Sequence, residues 1–275
     1  MAELLSWNNS ALRTLQECGE KFRRAYIEKD SRPSSPRQVR GTVVHRAVGR
    51  AMLRKLETQT LPTLEEARDT AATEFEAAWS EGVELSPDEQ GEPVGAVRAH
   101  TKDFAVDLAG FHVERVAPGI TPVGVERKII VKPQGSDIEI HGTIDLVDRT
   151  SAGEIIRDTK SAEKSPSKSA AEDSQQLTYY TLLRSAETRQ LPAGQVLDYL
   201  VRTPARAEKK HVALATTRTA EDLTALVNRL NVGVEAVKRG SFVPTNPESW
   251  WCSASWCQYF RDCVYVRRGD TRPRD

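Results

Sequence analysis

The sequence predicts an α/β protein with a mixed central sheet, flanking helices and a helical N-terminal region. Three observations carry this. The first 118 residues read as successive helices, the texture changes to β-branched runs after Pro118, and strands, helix, strands and helix then follow in order. Residues 10–27 set Leu12, Leu15, Cys18, Phe22 and Tyr26 at helical spacing, predicting one amphipathic helix with a cysteine near its middle. Ser31-Arg32-Pro33-Ser34-Ser35-Pro36 ends it. A second helix over 39–56 carries Val44, Val48, Ala51 and Leu53, with His45 near its start. Residues 64–82 and 94–116 predict two more, separated by Ser86-Pro87-Asp88.

Strands are predicted over 123–131, 137–147 and 154–160, with Gln134-Gly135-Ser136 as the turn between the first two. Ser169 and Glu172 have capping-box spacing and open a helix that runs to about residue 188. Strands over 196–202 and 211–216 and a helix over 220–239 complete the order. With no internal repeat and no long linker, a single domain over 1–275 is expected. It divides into N-terminal helices (1–60), a helical insertion (61–118), a core (119–240) and a C-terminal cysteine segment (241–275).

A chain of 275 residues with 39% hydrophobic content can bury a sizeable core, which excludes a wholly disordered protein. No window approaches the roughly 20 consecutive apolar residues of a membrane span. The start MAELLSWNNS lacks the basic and apolar regions of a secretion signal, so a cytoplasmic protein is expected. The 39 basic and 39 acidic residues cancel, giving no overall bias toward nucleic acid, yet they are unevenly placed. Residues 1–60 hold 12 basic against 6 acidic, and residues 61–120 hold 4 against 13. Such neighbouring patches can steer a polyanion to one face, or be no more than solvated helix surfaces.

In Ile138-Glu139-Ile140-His141-Gly142-Thr143-Ile144-Asp145, strand alternation separates the isoleucines from Asp145. In the next strand Asp158 and Lys160 share a face. Two carboxylates and an ammonium can therefore converge, and paired acidic oxygens are what a hard divalent cation takes. An Asp-x-Lys alone is weak evidence, because surface strands are full of such triplets.

Company strengthens it. Gly142-x-x-Asp145, Asp158-x-Lys160, Gln176-x-x-x-Tyr180 and the upstream Gly41-x-x-x-His45 together resemble the PD-(D/E)xK nuclease superfamily, in its RecB-like branch. The resemblance implies a restriction-endonuclease-like fold. It also implies Mg2+ or Mn2+ held by Asp145, Asp158, His45 and the Thr159 backbone carbonyl, with Lys160 positioning or activating the attacking water. An imidazole among the ligands points to tolerance of manganese. Gln176 and Tyr180, four apart on one helix face, are read as contacting substrate or holding Lys160, or else as packing residues. Glu126 is similar in placement to an acid found on the strand before Gly-x-x-Asp. Taken singly, His45 reads as a partly buried helix histidine.

Cys18 stands near the N-terminus, and Cys252, Cys257 and Cys263 lie close to the C-terminus. Four thiolates suit a zinc ion or an iron-sulfur cluster, and unligated core thiols are the third reading. The tight C-x2-C turn of zinc knuckles is absent. The one-plus-three layout resembles the iron-sulfur nucleases of the RecB-like branch, AddB-type and CRISPR-adaptation enzymes, which implies a 4Fe-4S cluster. Ligation would then staple the two ends of the chain together. Trp250, Trp251, Trp256, Tyr259 and Phe260 crowd the same segment; shielding a cluster is the expected role for most of them, stacking on bases the alternative.

The resemblance thus implies a prokaryotic or phage-encoded metal-dependent DNA nuclease, an exonuclease acting on single-stranded or frayed DNA ends, with a helicase or CRISPR-adaptation partner and no membrane. From their position between His45 and Asp145, the acidic helices between Leu64 and Val116 are expected over or beside the cleft, as a gate that single strands thread through. The rival is a catalytically inactive iron-sulfur DNA-binding or scaffold subunit that keeps the fold without turnover.

Overall fold

The computed structural model describes residues 5–87, 89–133, 138–204 and 207–266. The expected turn at 134–136 lies outside them. A six-stranded mixed sheet is organised around one long strand, β3 (Ile138–Thr150). β2 (Pro122–Val131) runs antiparallel along one edge of it, from Val131↔Ile140 to Pro122↔Asp148. The other edge is shared. β1 (Leu5–Trp7) pairs in parallel over Ile138–Ile140, and β4 (Gly153–Ala162) pairs antiparallel from Thr150↔Gly153 to Leu146↔Arg157. Between them, residues 141–145 of β3 have no strand partner on that edge. β4 leaves β3 after Arg157 but stays parallel to β5 (Gly194–Arg202) as far as Ala162, and β6 (Lys209–Thr216) closes the sheet.

Helices cover both faces. On one, α3 (Pro36–Thr58), α4 (Leu64–Ser80) and α5 (Val94–Arg115) bury Val44, Val48, Phe75, Phe104 and Leu108 with Leu146 and Leu200 of the sheet. On the other, α1 (Asn9–Glu17), α6 (Gln175–Thr188) and α7 (Ala220–Lys238) bury Leu12, Tyr179, Leu183 and Leu230 with Ile140, Ile144 and Ile156. Capping fixes where these helices begin. Ser35 with Gln38, and Thr63 with Glu66, each exchange two hydrogen bonds and satisfy amide groups that have no partner inside the helix. Among the described residues no helix is long and apolar enough to cross a membrane.

Two helix predictions need correction. The single helix over 10–27 is broken: α1 stops at Glu17, Cys18 is extended (φ −163°, ψ 113°), a short α2 (Gly19–Phe22) follows, and Arg23–Ile27 form a π-helical turn. The cause is long-range. Gly19 N–H donates to the Val243 carbonyl at 2.7 Å, and a Cβ at Gly19 would lie 2.5 Å from the Phe242 backbone, so the segment at 242–243 docks where the helix would continue. Nor do Ser169 and Glu172 open α6. Ser174 caps it, because the Arg218 guanidinium takes the carbonyls of Ala171, Glu172 and Ser174 at 2.7–3.2 Å and holds residues 169–174 in turns. The three-residue β1 was absent from the predicted strands.

Candidate active site

α3, β2 and β4 bring His45, Glu126, Thr159 and Lys160 onto one cleft, and the buried Asp145 and Asp158 meet His45 and Lys160 respectively. His45 Nε2 lies 2.8 Å from Asp145 Oδ2, the same oxygen that accepts the Thr159 N–H at 3.2 Å. That N–H is free to reach Asp145 because β4 has left β3 two residues earlier. In a strand a residue's carbonyl leaves by the same edge as its N–H, so the Thr159 carbonyl also belongs to the opened edge. Alternation slips at this point of β3: Ile144 and Val147 pack in one core cluster and Leu146 in the other. On β2, opposite Asp145, Glu126 takes a positive φ of 47° and lies 3.4 Å from His45 Nδ1.

Asp158 is fully buried, with Lys160 Nζ 2.7 Å from Oδ2 as an ion-pair contact, yet neither carboxylate oxygen accepts a hydrogen bond of good geometry. Lys160 Nζ donates instead to Gln176 Oε1 at 2.7 Å, and Gln176 Nε2 donates to the Tyr180 hydroxyl at 2.8 Å. Gln176 and Tyr180 therefore anchor Lys160 to α6.

Electrostatics follow from this crowding. The Asp145 carboxylate raises the pKa of His45 to about 9, against the opposing effect of burial. Burial, then the neighbouring charge of Asp145, holds the Asp158 carboxyl well above the usual range, with Lys160 opposing. Glu126 is also raised, mainly by burial. Two repelling carboxylates, one without donors on either oxygen, form a place a cation would stabilise. Carboxylate oxygens, one imidazole and a strand carbonyl are a donor set that Mg2+ and Mn2+ accept. Among the described residues no three His, Cys, Asp or Glu side chains stand in ready metal-holding geometry. The fit rests on this donor chemistry and on the unsatisfied Asp158.

The cleft has a volume of about 1330 Å3, and its lining includes Arg37, Arg40, Arg46, Arg50 and Lys164 besides His45, Lys160, Glu74, Glu126 and Glu163. Sequence reading placed the positive surplus in residues 1–60 without assigning these arginines. The signal was present, since Arg37 and Arg40 lie three apart, and Arg46 and Arg50 four apart, on the helix that carries His45. Of the acidic insertion, only Glu74 is among the cleft residues, paired with Arg46 and Arg50. Two glycines near the site make room for different neighbours. A Cβ on Gly142 would lie 2.8 Å from Leu183 Cδ1, so the glycine lets α6 approach β3. A Cβ on Gly49 would lie 3.0 Å from Glu126 Oε1, so that glycine leaves room for the carboxylate.

The four cysteines, far apart in sequence, line one small pocket of about 30 Å3, walled in part by Trp251, Tyr259, Phe260 and Val266. Thr245 N–H points to Cys18 Sγ at 3.4 Å. Burial raises the Cys257 thiol pKa, and the nearby Cys18 and Cys263 add to it. The segment is also tied down without its sulfurs. Asp262 accepts from Arg24 and Arg32, each at 2.7 Å, both guanidinium groups lie over the Tyr259 ring, and the Tyr259 hydroxyl donates to the Asp30 carbonyl. Of the five aromatics of this segment, Trp251, Tyr259 and Phe260 line the pocket with the thiols. Trp250 and Trp256 do not line the pocket; they are half exposed, and Trp256 lies on the cleft that His45 and Lys160 line.

No curated protein matches the chain. The crystal structure of SSO0001 aligns with 97% of this chain and 89% of that one, at 12% identity and a TM-score of 0.40, from which nothing further is drawn. The decisive comparison is with protein families. The model of the PD-(D/E)XK nuclease superfamily matches residues 6–264, which takes in every strand of the sheet but the first residue of β1, all the helices and the whole acid-lysine site. By that match the chain belongs to the PD-(D/E)XK nuclease superfamily.

Proposed function

We propose that the protein is a divalent-metal-dependent deoxyribonuclease of the RecB-like branch, a single-strand-preferring exonuclease that processes DNA ends by phosphodiester hydrolysis. The observation that carries this reading is Asp158, a fully buried carboxylate that Asp145 repels and that Lys160 meets at 2.7 Å, next to the His45–Asp145 pair and beside a cleft rich in arginine. Asp145, Asp158, His45 and the Thr159 carbonyl would hold Mg2+ or Mn2+. When bound, the cation offsets charge on the scissile phosphate and lowers the pKa of water.

The chain's own groups do the rest. Glu126, facing His45 Nδ1, fixes the ring so that Nε2 is directed to the acids. Lys160, held by Gln176, keeps its ammonium beside the acids, where it orients the water that attacks phosphorus in line and stabilises the charge that develops. Tyr180 keeps Gln176 in place. The cleft arginines grip neighbouring phosphates. The preference for single-stranded ends rests on the RecB-like motifs.

The same reading assigns a 4Fe-4S cluster to Cys18, Cys252, Cys257 and Cys263, supported by their common pocket, its aromatic wall and the N–H directed at Cys18. It also makes a helicase or CRISPR-adaptation protein the natural partner. Digestion of DNA with 5′ or 3′ single-stranded tails, end-labelled and supplied with Mg2+ or Mn2+, tests the activity. The tails should be degraded by the wild type and left intact by Asp158→Asn and Lys160→Ala. DNA binding without cleavage under every metal would replace this reading with the inactive scaffold. Visible sulfur-to-iron absorbance and iron analysis test the cluster, and zinc in place of iron would overturn it.

A further inference from the structure

We infer that Trp256 and Arg37 form a nucleobase platform on the wall of the cleft, where one unpaired base of a single strand stacks. This deepens the proposed nuclease reading and rests on it. Trp256 is 46% exposed but lines the same cleft as His45 and Lys160. Trp250, 51% exposed, meets it edge-on at 5.0 Å, so two indoles form one exposed aromatic patch beside the cleft. The Arg37 guanidinium stands 4.8 Å from the centre of the Trp256 ring.

Charge pairing isolates the same spot. Arg40 is bound to Glu163 at 2.5 Å, Arg46 and Arg50 meet Glu74, and Lys160 meets Asp158. Among the described cleft residues, Arg37 and Lys164 are the cations without an ion pair. Arg37 therefore joins a π surface to a positive charge held in no ion pair among the described residues, a pairing that suits a base and its phosphate together. The backbone under Trp256 is fixed: the N–H groups of Trp256 and Cys257 both donate to the carbonyl of the fully buried Ser253. The segment thus turns Cys257 into the thiol pocket and Trp256 toward the cleft. A duplex has no free base face to offer, so a platform of this kind selects unpaired strands.

The test is fluorescence anisotropy with a labelled oligothymidylate in EDTA, so that no strand is cut. Trp256→Ala should weaken binding about 5- to 100-fold, the effect of losing one stacked base, and Trp256→Phe should restore most of it. Moving a single abasic site along the oligomer should find one position that weakens the wild type by a similar factor and leaves Trp256→Ala unaffected. A merely structural tryptophan would not produce that coupling. Arg37→Ala, which lies outside the cysteine segment, should also weaken binding and flatten its salt dependence.

Because Trp256 adjoins Cys257, iron content and melting temperature of the variants are measured alongside, and where Trp256→Ala alters either, the Phe and Arg37 variants carry the test. Wild-type affinity in Trp256→Ala, or abasic losses unchanged by it, would overturn the platform and leave the nuclease reading standing. A wild type that binds no single strand would remove both.

Discussion

Arg157 and Asp158 are consecutive on β4, face opposite sides of the sheet, and belong to two buried charge clusters that differ in one respect. On one side Arg157 donates to Asp148 at 2.8 Å and to both oxygens of Asp198 at 2.8 and 3.0 Å. Asp148 also accepts the Thr121 N–H, and Asp198 lies 2.7 Å from His211 Nε2. Each acid there is met by donors. On the other side Asp158, equally buried, meets the Lys160 ammonium at 2.7 Å in strained hydrogen-bond geometry and repels Asp145. A buried charge that the chain satisfies serves the architecture; one it leaves unsatisfied marks where a charged ligand is needed.

Neutralising one residue on each side is the strongest way to break this comparison. Arg157→Met leaves Asp148 and Asp198, each 2% exposed, without their shared cation, and should cost about 3–5 kcal/mol of stability. Asp158→Asn removes a buried charge that Asp145 repels and that the partly exposed Lys160 only in part offsets, so the metal-free protein should become more stable by about 1 kcal/mol. Thermal denaturation in EDTA reads both signs. Added Mn2+ should then raise the melting temperature of the wild type and not of Asp158→Asn. Equal destabilisation by the two substitutions would show that both clusters are architectural.

The paired side has its own exception, which sharpens the contrast. His112 of α5 is buried at 1% exposure, and its Nδ1 has no hydrogen-bond partner. Burial lowers its pKa to about 4. In the unfolded chain the imidazole gains a proton below about pH 6.5, whereas the folded protein does not until about pH 4. Stability from this group is therefore complete above pH 6.5 and is lost as pH falls, by about 3 kcal/mol on reaching pH 4. Chemical denaturation across that window, wild type against His112→Phe, isolates the effect. A wild-type curve parallel to that of the variant would show that His112 is not held neutral.

Much of this was legible in the sequence, for reasons that lie in particular residues. α3 and α4 begin at capping boxes, and their apolar residues keep helical spacing, so their extents came out close to those observed. The acids and Lys160 sit on strands whose β-branched runs are clear. What escaped depended on contacts remote in sequence. Residues 10–27 keep a helical pattern through Cys18, and only the docking of 242–243 breaks it. Ser169 and Glu172 have the right spacing, but Arg218, nearly 50 residues later, holds their segment in turns. Glu126 has no sequence mark of the positive φ that sets it beside His45. The outward placement of Trp256 depends on which face of the segment carries the thiols.

The two motif glycines, one on each helix-bearing face, allow the finest cut. Gly142→Ala sets a Cβ 2.8 Å from Leu183 Cδ1 and 3.6 Å from the Tyr180 ring, in a part of the core where Leu183 is fully buried. α6 must move away from β3, at a cost of about 1–3 kcal/mol. Because Tyr180 and Gln176 hold Lys160 through α6, kcat should fall several-fold while KM for DNA stays near its wild-type value. Gly41→Ala meets nothing closer than Ser161 Oγ at 4.0 Å, and alanine favours a helix interior by up to about 1 kcal/mol, so the protein should gain slightly in stability. Gly41 lines the cleft, and there the bare backbone matters only to what enters it. A rise in KM with an unchanged kcat is the expected signature. If Gly41→Ala instead lowers kcat with no change in KM, then Gly41 serves the reacting groups rather than the approach of the strand, and the two glycines answer to the same constraint after all.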